Sequence, residues 1–221
     1  MEVLILSAHP DDETLGAGGT IFKHLDNGDT ISWYLATSSD PEFYSVEQIS
    51  NQEKFVQKIK SSFKVKNFHW SKFPTAKLDL IPFKEIIDDL KVIISKVNPD
   101  IIYLPGNYDI HSDHTILNKA LFSAVKSFNI KKTQFRILTY EVLSSTEVFS
   151  SARKEVFIPN SFVDITECII QKIELMEFIV DETQPYPLPR CMESIKALSK
   201  YRGANIGVEF AEAFNIIFEK K

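Results

Sequence analysis

Short unbroken apolar runs punctuate the chain, and longer stretches with helical spacing follow them. Val3-Leu4-Ile5-Leu6 is the first such run. Its lack of polar alternation suits a strand buried on both faces of a parallel sheet. Over residues 14–27, Leu15, Ile21, Phe22 and Leu25 recur at roughly helical spacing. The pattern then predicts a strand over 30–36, a helix over 49–63 and a third strand over 66–70. A long amphipathic helix over 81–97 and a strand over 101–104 come next. Beyond it Leu117, Leu121 and Val125 form the stripe of a helix that Ser112 can cap. Strands alternating with helices predict an α/β domain with a parallel sheet.

The later half alternates less regularly. Residues 136–141 look like a strand, 155–158 are short and apolar, and 165–179 are helical, with Ile169, Ile173, Met176 and Ile179 on or near one face. Residues 184–190 hold three prolines and read as a rigid loop. A helix is expected over 192–200 and a closing strand over 210–218. No repeat, low-complexity tract or linker interrupts the 221 residues, so the expectation is a single domain over 1–221. Hydrophobic residues at 44% and charged residues at 25% are ordinary for a globular protein and sufficient for a substantial core.

Candidate chemistry concentrates at two strand-to-helix junctions. Residues 8–20 read AHPDDETLGAGGT. His9, Asp11 and Asp12 fall at the carboxyl end of the first strand, where open α/β sheets place their sites. Pro10 biases His9 away from helix. Acidic residues at a helix start also favour the macrodipole and cap free N–H groups. A histidine three residues before Asp12 shifts the balance toward a metal held by His9 and Asp12, leaving Asp11 for another task. Gly16, Gly18 and Gly19 allow close packing on the sheet or close approach of a ligand. The second junction, residues 107–115, reads NYDIHSDHT and carries His111, Asp113 and His114. Two imidazoles and a carboxylate suit zinc with an open position. Spacing alone does not separate Asp11 from Asp12, or His111 from His114.

His9-Pro10-Asp11-Asp12-Glu13, followed about a hundred residues later by His111-Ser112-Asp113-His114, resembles the zinc-dependent N-acetylglucosaminyl deacetylases of the PIG-L/LmbE type. The likeness continues through Tyr140-Glu141-Val142-Leu143-Ser144-Ser145, Pro159-Asn160, Val163-Asp164-Ile165, Arg202-Gly203 and Ala211-Glu212-Ala213-Phe214. The resemblance implies a Rossmann-like, mostly parallel central sheet with helices on both faces. It implies one Zn²⁺ per chain, or another divalent metal, held by His9, Asp12 and His114. Asp11 is then the general base. His111 polarises the carbonyl, stabilises the oxyanion or protonates the amine, and Asp113 orients His111 or His114. The substrate is expected to be an N-acetylated sugar or glycoconjugate. Tyr140 and Glu141 support the site or line the sugar pocket, with a plain strand-end role as the alternative. Arg190 pairs with a substrate phosphate or forms a structural ion pair, and the polar loop 37–44 is a candidate for substrate contact. Relatives often carry an arginine where Ser50-Asn51-Gln52-Glu53 has none, and a histidine where Leu188 stands.

Other readings stay open at this point. An amidase of the same fold could act on a non-sugar amide. A nucleotide-binding Rossmann module is suggested by the three glycines, although no G-x-G-x-x-G follows the first strand. A catalytically silent scaffold is the third. A net charge of −5 without a dominant basic stripe excludes general nucleic-acid binding. Lys54, Lys58, Lys60, Lys64 and Lys66 read as a solvated helix face and the loop after it. Cys168 and Cys191 are too few and too far apart for a zinc finger or disulfide framework, and Cys168 reads as a core thiol. With no signal-peptide pattern and no apolar stretch long enough to span a bilayer, the expectation is a cytoplasmic protein. The oligomeric state is not legible.

Overall fold

A seven-stranded sheet organises the chain. The computed structural model describes residues 1–126, 128, 130–148, 155–179 and 183–221. The strands are β1 (Glu2–Ser7), β2 (Thr30–Ser38), β3 (Asn67–Pro74), β4 (Ile101–Pro105), β5 (Phe135–Tyr140), β6 (Ser161–Asp164) and β7 (Ala211–Lys220). They lie in the order β3-β2-β1-β4-β5-β7-β6. The first five run parallel, while β7 is antiparallel to both β5 and β6. The connections after β1 and β4 therefore leave the sheet in opposite senses, β1 toward β2 and β4 toward β5. That reversal opens a crevice between their carboxyl ends, the usual ligand position in doubly wound sheets.

Alternation along β1 assigns the two faces. Val3 and Ile5 join a core cluster with Leu15, Ile21, Ile59, Ile173 and Met176, while Leu4 and Leu6 join Ile86, Leu90, Leu117 and Leu121. Helices α1 (Asp12–Asp26), α2 (Val46–Ser62), α5 (Ile169–Phe178) and α6 (Met192–Ala204) cover the first face. Helices α3 (Phe83–Val97) and α4 (Ser112–Ala124) cover the second. The sequence thus yields the expected helices on both faces, because the central strands β1, β2 and β4 are buried on both sides.

The glycines of α1 serve packing. A Cβ on Gly16 would stand 2.2 Å from the Tyr140 ring, and one on Gly19 would stand 2.8 Å from Ile165. Of the two roles open to them in the sequence, close helix packing is the one these contacts show. A buried ion pair between β7 and α5 fastens the same helix. Glu212 accepts from the Gly19 and Thr20 amides at 2.9 and 2.7 Å, and Lys172 Nζ donates to Glu212 and to the Leu15 carbonyl, each at 2.7 Å.

Four features were not given by the local pattern. The cap of α4 is His111, not Ser112. Residues 165–179 begin with a 3₁₀ turn, Thr166–Cys168, before α5. The closing strand β7 is not at the edge but lies between β5 and β6, and the apolar residues 155–158 form no regular element. The lysines from 54 to 66 are solvated or partly so, with Lys58 and Lys60 over the rings of Phe178 and Phe68, and Cys168 is buried. No described helix is long and apolar enough to cross a membrane.

Candidate active site

The loops after β1 and β4 bring His9, Asp11, Asp12, His111, Asp113 and His114 together. Asp12 opens α1 and is fully buried. Its Oδ2 accepts from the Ala8 and His9 amides at 2.9 and 2.8 Å. Its Oδ1 is buried without a hydrogen-bond partner and lies 3.1 Å from His114 Nε2. His114 Nε2 in turn lies 3.2 Å from His9 Nδ1, which is 3.6 Å from Asp12 Oδ2. Zinc bonds of about 2.1 Å at tetrahedral angles separate neighbouring donor atoms by roughly 3.4 Å. Two imidazoles and an orphaned carboxylate oxygen at such spacing fit a divalent metal. The third histidine, His111, also falls within reach, since donor atoms of His9, His111 and His114 all lie within 4.8 Å of one another. Its Nδ1, however, accepts from the Asp113 amide at 3.2 Å.

The carboxylates behind the histidines fix their orientation. Asp113 is buried, and its side chain accepts from the Ala76 and Leu78 amides at 2.7 and 3.1 Å, with His9 Nε2 at 3.1 Å. Its carboxylate thus orients His9, not His111 or His114 as expected from sequence, because the loop after β3 turns it across the crevice. Only its backbone amide reaches His111. A residue the sequence analysis passed over does the other work. Asp109 Oδ1 accepts from the His111 amide at 2.9 Å, and Oδ2 accepts from Thr146 Oγ1 at 3.0 Å. Oδ2 also stands 3.1 Å from His114 Nδ1, though off the hydrogen-bonding line. Its place two residues before His111 in the same junction motif was the available signal. Carboxylates behind ligating histidines are the usual second layer of a metal site.

Asp11 faces a different environment. It caps α1 without using its side chain, and Oδ2 accepts from Arg190 Nη1 at 2.6 Å. Arg190 is held in turn by Ser144 Oγ and the Leu143 carbonyl, 2.8 and 3.3 Å from Nε. The ion-pair reading of Arg190 is therefore the one present, and its partner is the candidate base. Tyr140 is fully buried and donates to the Leu6 carbonyl at 2.7 Å, so it supports the sheet end beneath the crevice. Glu141 forms a two-pronged pair with Arg202, both contacts at 2.7 Å, which occupies both its oxygens. Neither residue lines the cleft; their place is structural support.

The charges set the protonation states. Burial pushes the Asp11 carboxyl up, and Arg190 only partly offsets this. Burial acts the same way on Asp12, but His114 and His9 override it and hold that carboxyl well below the usual range. Burial would lower His9 and His114, yet Asp12 and the carboxylates behind them raise the two imidazoles to about 10 and about 9. His111 has no such carboxylate contact. Burial and the two neighbouring histidines bring it down to about 4.

A cleft of about 160 Å³ opens above these groups, lined by His9, Pro10, Asp11, Ser39, Tyr44, Gln52, Thr75, His111 and Arg190. The polar loop expected to contact substrate contributes Ser39 and Tyr44. Gln52 comes from the stretch without the relatives' arginine. Leu188 is exposed and does not line the cleft. A roomier groove near the carboxyl end of α4 is lined mainly by apolar residues such as Phe122, Val125 and Phe218, with Lys126 its one ionisable lining residue.

Comparison with known proteins agrees with this geometry. The family model "PIG-L: GlcNAc-PI de-N-acetylase" matches residues 4–125, more than half of the chain. Diacetylchitobiose deacetylase of Thermococcus kodakarensis is 23% identical over 98% of this chain and 83% of its own. The N,N'-diacetylchitobiose deacetylase structure from Pyrococcus horikoshii superposes with a TM-score of 0.75 at 24% identity, covering 97% of this chain and 83% of that one. A zinc-inhibited form of the teicoplanin deacetylase Orf2 gives 0.71 at 14% identity, covering 97% and 98%. The same fold also carries other chemistry, since the 4-carboxy-2-hydroxymuconate hydratase GalB of Pseudomonas putida gives 0.70 at 14% identity, covering 99% and 97%. Both junction motifs lie inside the matched residues, and the chain belongs to the PIG-L family of metal-dependent deacetylases.

Proposed function

We propose that this chain removes an acetyl group from an amino sugar or its conjugate, with zinc held by His9, Asp12 and His114 and with Asp11 as general base. The observation that carries the reading is the buried Asp12 Oδ1, without a hydrogen-bond partner, 3.1 Å from His114 Nε2, with His9 Nδ1 3.2 Å from that same nitrogen. When bound there, zinc supplies Lewis acidity toward the attacking water and the amide carbonyl.

The chain's own groups do the rest. Asp11 accepts a proton from the water as its oxygen bonds to the carbonyl carbon, and a carboxyl raised by burial suits that task. Arg190 fixes the Asp11 carboxylate in place to take that proton. His111 stays neutral near pH 7. Its Nδ1 accepts from the Asp113 amide, which leaves the ring proton on Nε2, directed to the carbonyl oxygen as negative charge develops. The C–N bond then breaks, the departing nitrogen takes the proton from Asp11, and acetate and a free amine result.

The test is acetate release by protein loaded with one equivalent of zinc. N-acetylglucosamine and N,N'-diacetylchitobiose are compared with acetylated non-sugar amines. Acetate from the sugars is the expected result. Release only from the non-sugar amines would give the amidase reading instead, and no release from any would contradict deacetylation altogether.

A further inference from the structure

Above the reacting groups, the walls of the cleft are built from uncharged side chains. Gln52 on α2 has its carbonyl oxygen fixed by the Ser39 amide at 2.9 Å, which leaves its amide nitrogen as a donor at the cleft wall. Tyr44 and Ser39 add hydroxyls from the loop after β2. Thr75 Oγ1 lies 3.0–3.1 Å from Ser38 O and Thr37 Oγ1.

Charge around the mouth is unfavourable to an anion. Apart from the histidines, Arg190 is the one basic side chain lining the cleft among the described residues, and Asp11 engages it at 2.6 Å. At the rim, Lys77 is shared by Asp40 and Glu42 at 2.9 and 3.0 Å, with its ammonium 4.4 Å from the centre of the Phe43 ring. Two carboxylates on one ammonium leave this cluster net negative. A phosphate or carboxylate on the sugar would compete with Asp11 for Arg190, and an anion without a cationic partner in the cleft is strongly disfavoured. A ring bearing only hydroxyl and acetamido groups meets donors and acceptors it can satisfy.

From this we infer that the cleft selects an uncharged N-acetylated sugar ring, read by Ser39, Tyr44 and Gln52, and disfavours rings bearing an anionic substituent. The inference rests on the deacetylase reading above and narrows its substrate class.

The experiment measures kcat and KM of the zinc-loaded enzyme on N-acetylglucosamine, its 1-phosphate and its 6-phosphate. The neutral sugar should have the higher kcat/KM, by about tenfold or more. Gln52→Ala and Tyr44→Phe should each raise KM for the neutral sugar about two- to tenfold, more than they lower kcat, at unchanged zinc content. Gln52→Lys should narrow the gap between neutral and phosphorylated sugars, since it adds the missing cation. Preference of the wild type for either phosphate, or unchanged KM in both neutral variants, would overturn the inference while leaving deacetylation standing. Absence of acetate from all three sugars and from N,N'-diacetylchitobiose would instead remove the reading beneath it.

Discussion

Asp12 gives one oxygen to the Ala8 and His9 amides and leaves the other beside the His114 imidazole, whereas its neighbour Asp11 turns to Arg190. Identical side chains one residue apart thus acquire opposite tendencies, Asp12 toward the anion and Asp11 toward the proton. Such divergence is how neighbouring carboxylates take separate roles. The histidines make a prediction about metal uptake. The carboxylates around them favour a proton on His9 and His114, raising them to about 10 and about 9 against 6.5 for an ordinary imidazole. Zinc needs both neutral. Binding at pH 7 should therefore release at least one proton, the one shared between His9 Nδ1 and His114 Nε2. Apparent affinity should climb as pH rises toward 9–10 and level off above it. Calorimetry in buffers of different ionisation enthalpy measures the release, and a value near zero contradicts the assignment of these two ligands. In metal-free protein the same raised values stabilise the fold fully below pH 6.5, and that contribution is lost as pH rises through 9–10.

At the scale of elements, α1 is where the site is held. Its first residue is Asp12, its glycines seat it against Tyr140 and Ile165, and Glu212 with Lys172 grips its middle. Lys172 and Glu212 are both nearly inaccessible. Removing one partner of such a pair leaves the other charge buried, a loss of about 3–5 kcal/mol. Glu212 keeps the Gly19 and Thr20 amides, so Lys172→Met should fall near the lower end, about 3 kcal/mol. Urea unfolding measures it; a loss below roughly 1 kcal/mol would mean the pair does not secure the helix.

Across the whole molecule, the parts legible in the sequence are those that depend on local pattern. The unbroken apolar runs at Val3–Leu6 and Ile101–Leu104 gave buried parallel strands, and the junction motifs behind them lie across one crevice because β1 and β4 are neighbours. What stayed hidden depends on the chain returning from afar. Asp113 reaches His9 only because the loop carrying Ala76 and Leu78 turns its carboxylate, and Arg190 meets Asp11 across 179 residues of sequence. The position of β7 inside the sheet was equally invisible, since its pattern of β-prone residues says nothing of which strands lie on either side. Asp109 was legible in part, as an acidic residue two positions before His111, but its contacts to His111 and Thr146 were not.

The central claim is the division of labour between two adjacent aspartates around one metal. Zinc content and kcat on N,N'-diacetylchitobiose, measured together for wild type, Asp11→Asn and Asp12→Asn, test it most directly. Asp11→Asn preserves shape but cannot accept the proton, so it should keep about one zinc per chain and lose turnover by ~10²–10⁴. Asp12→Asn should lose zinc. Turnover near wild type in Asp11→Asn, or full zinc retention in Asp12→Asn, would contradict the account.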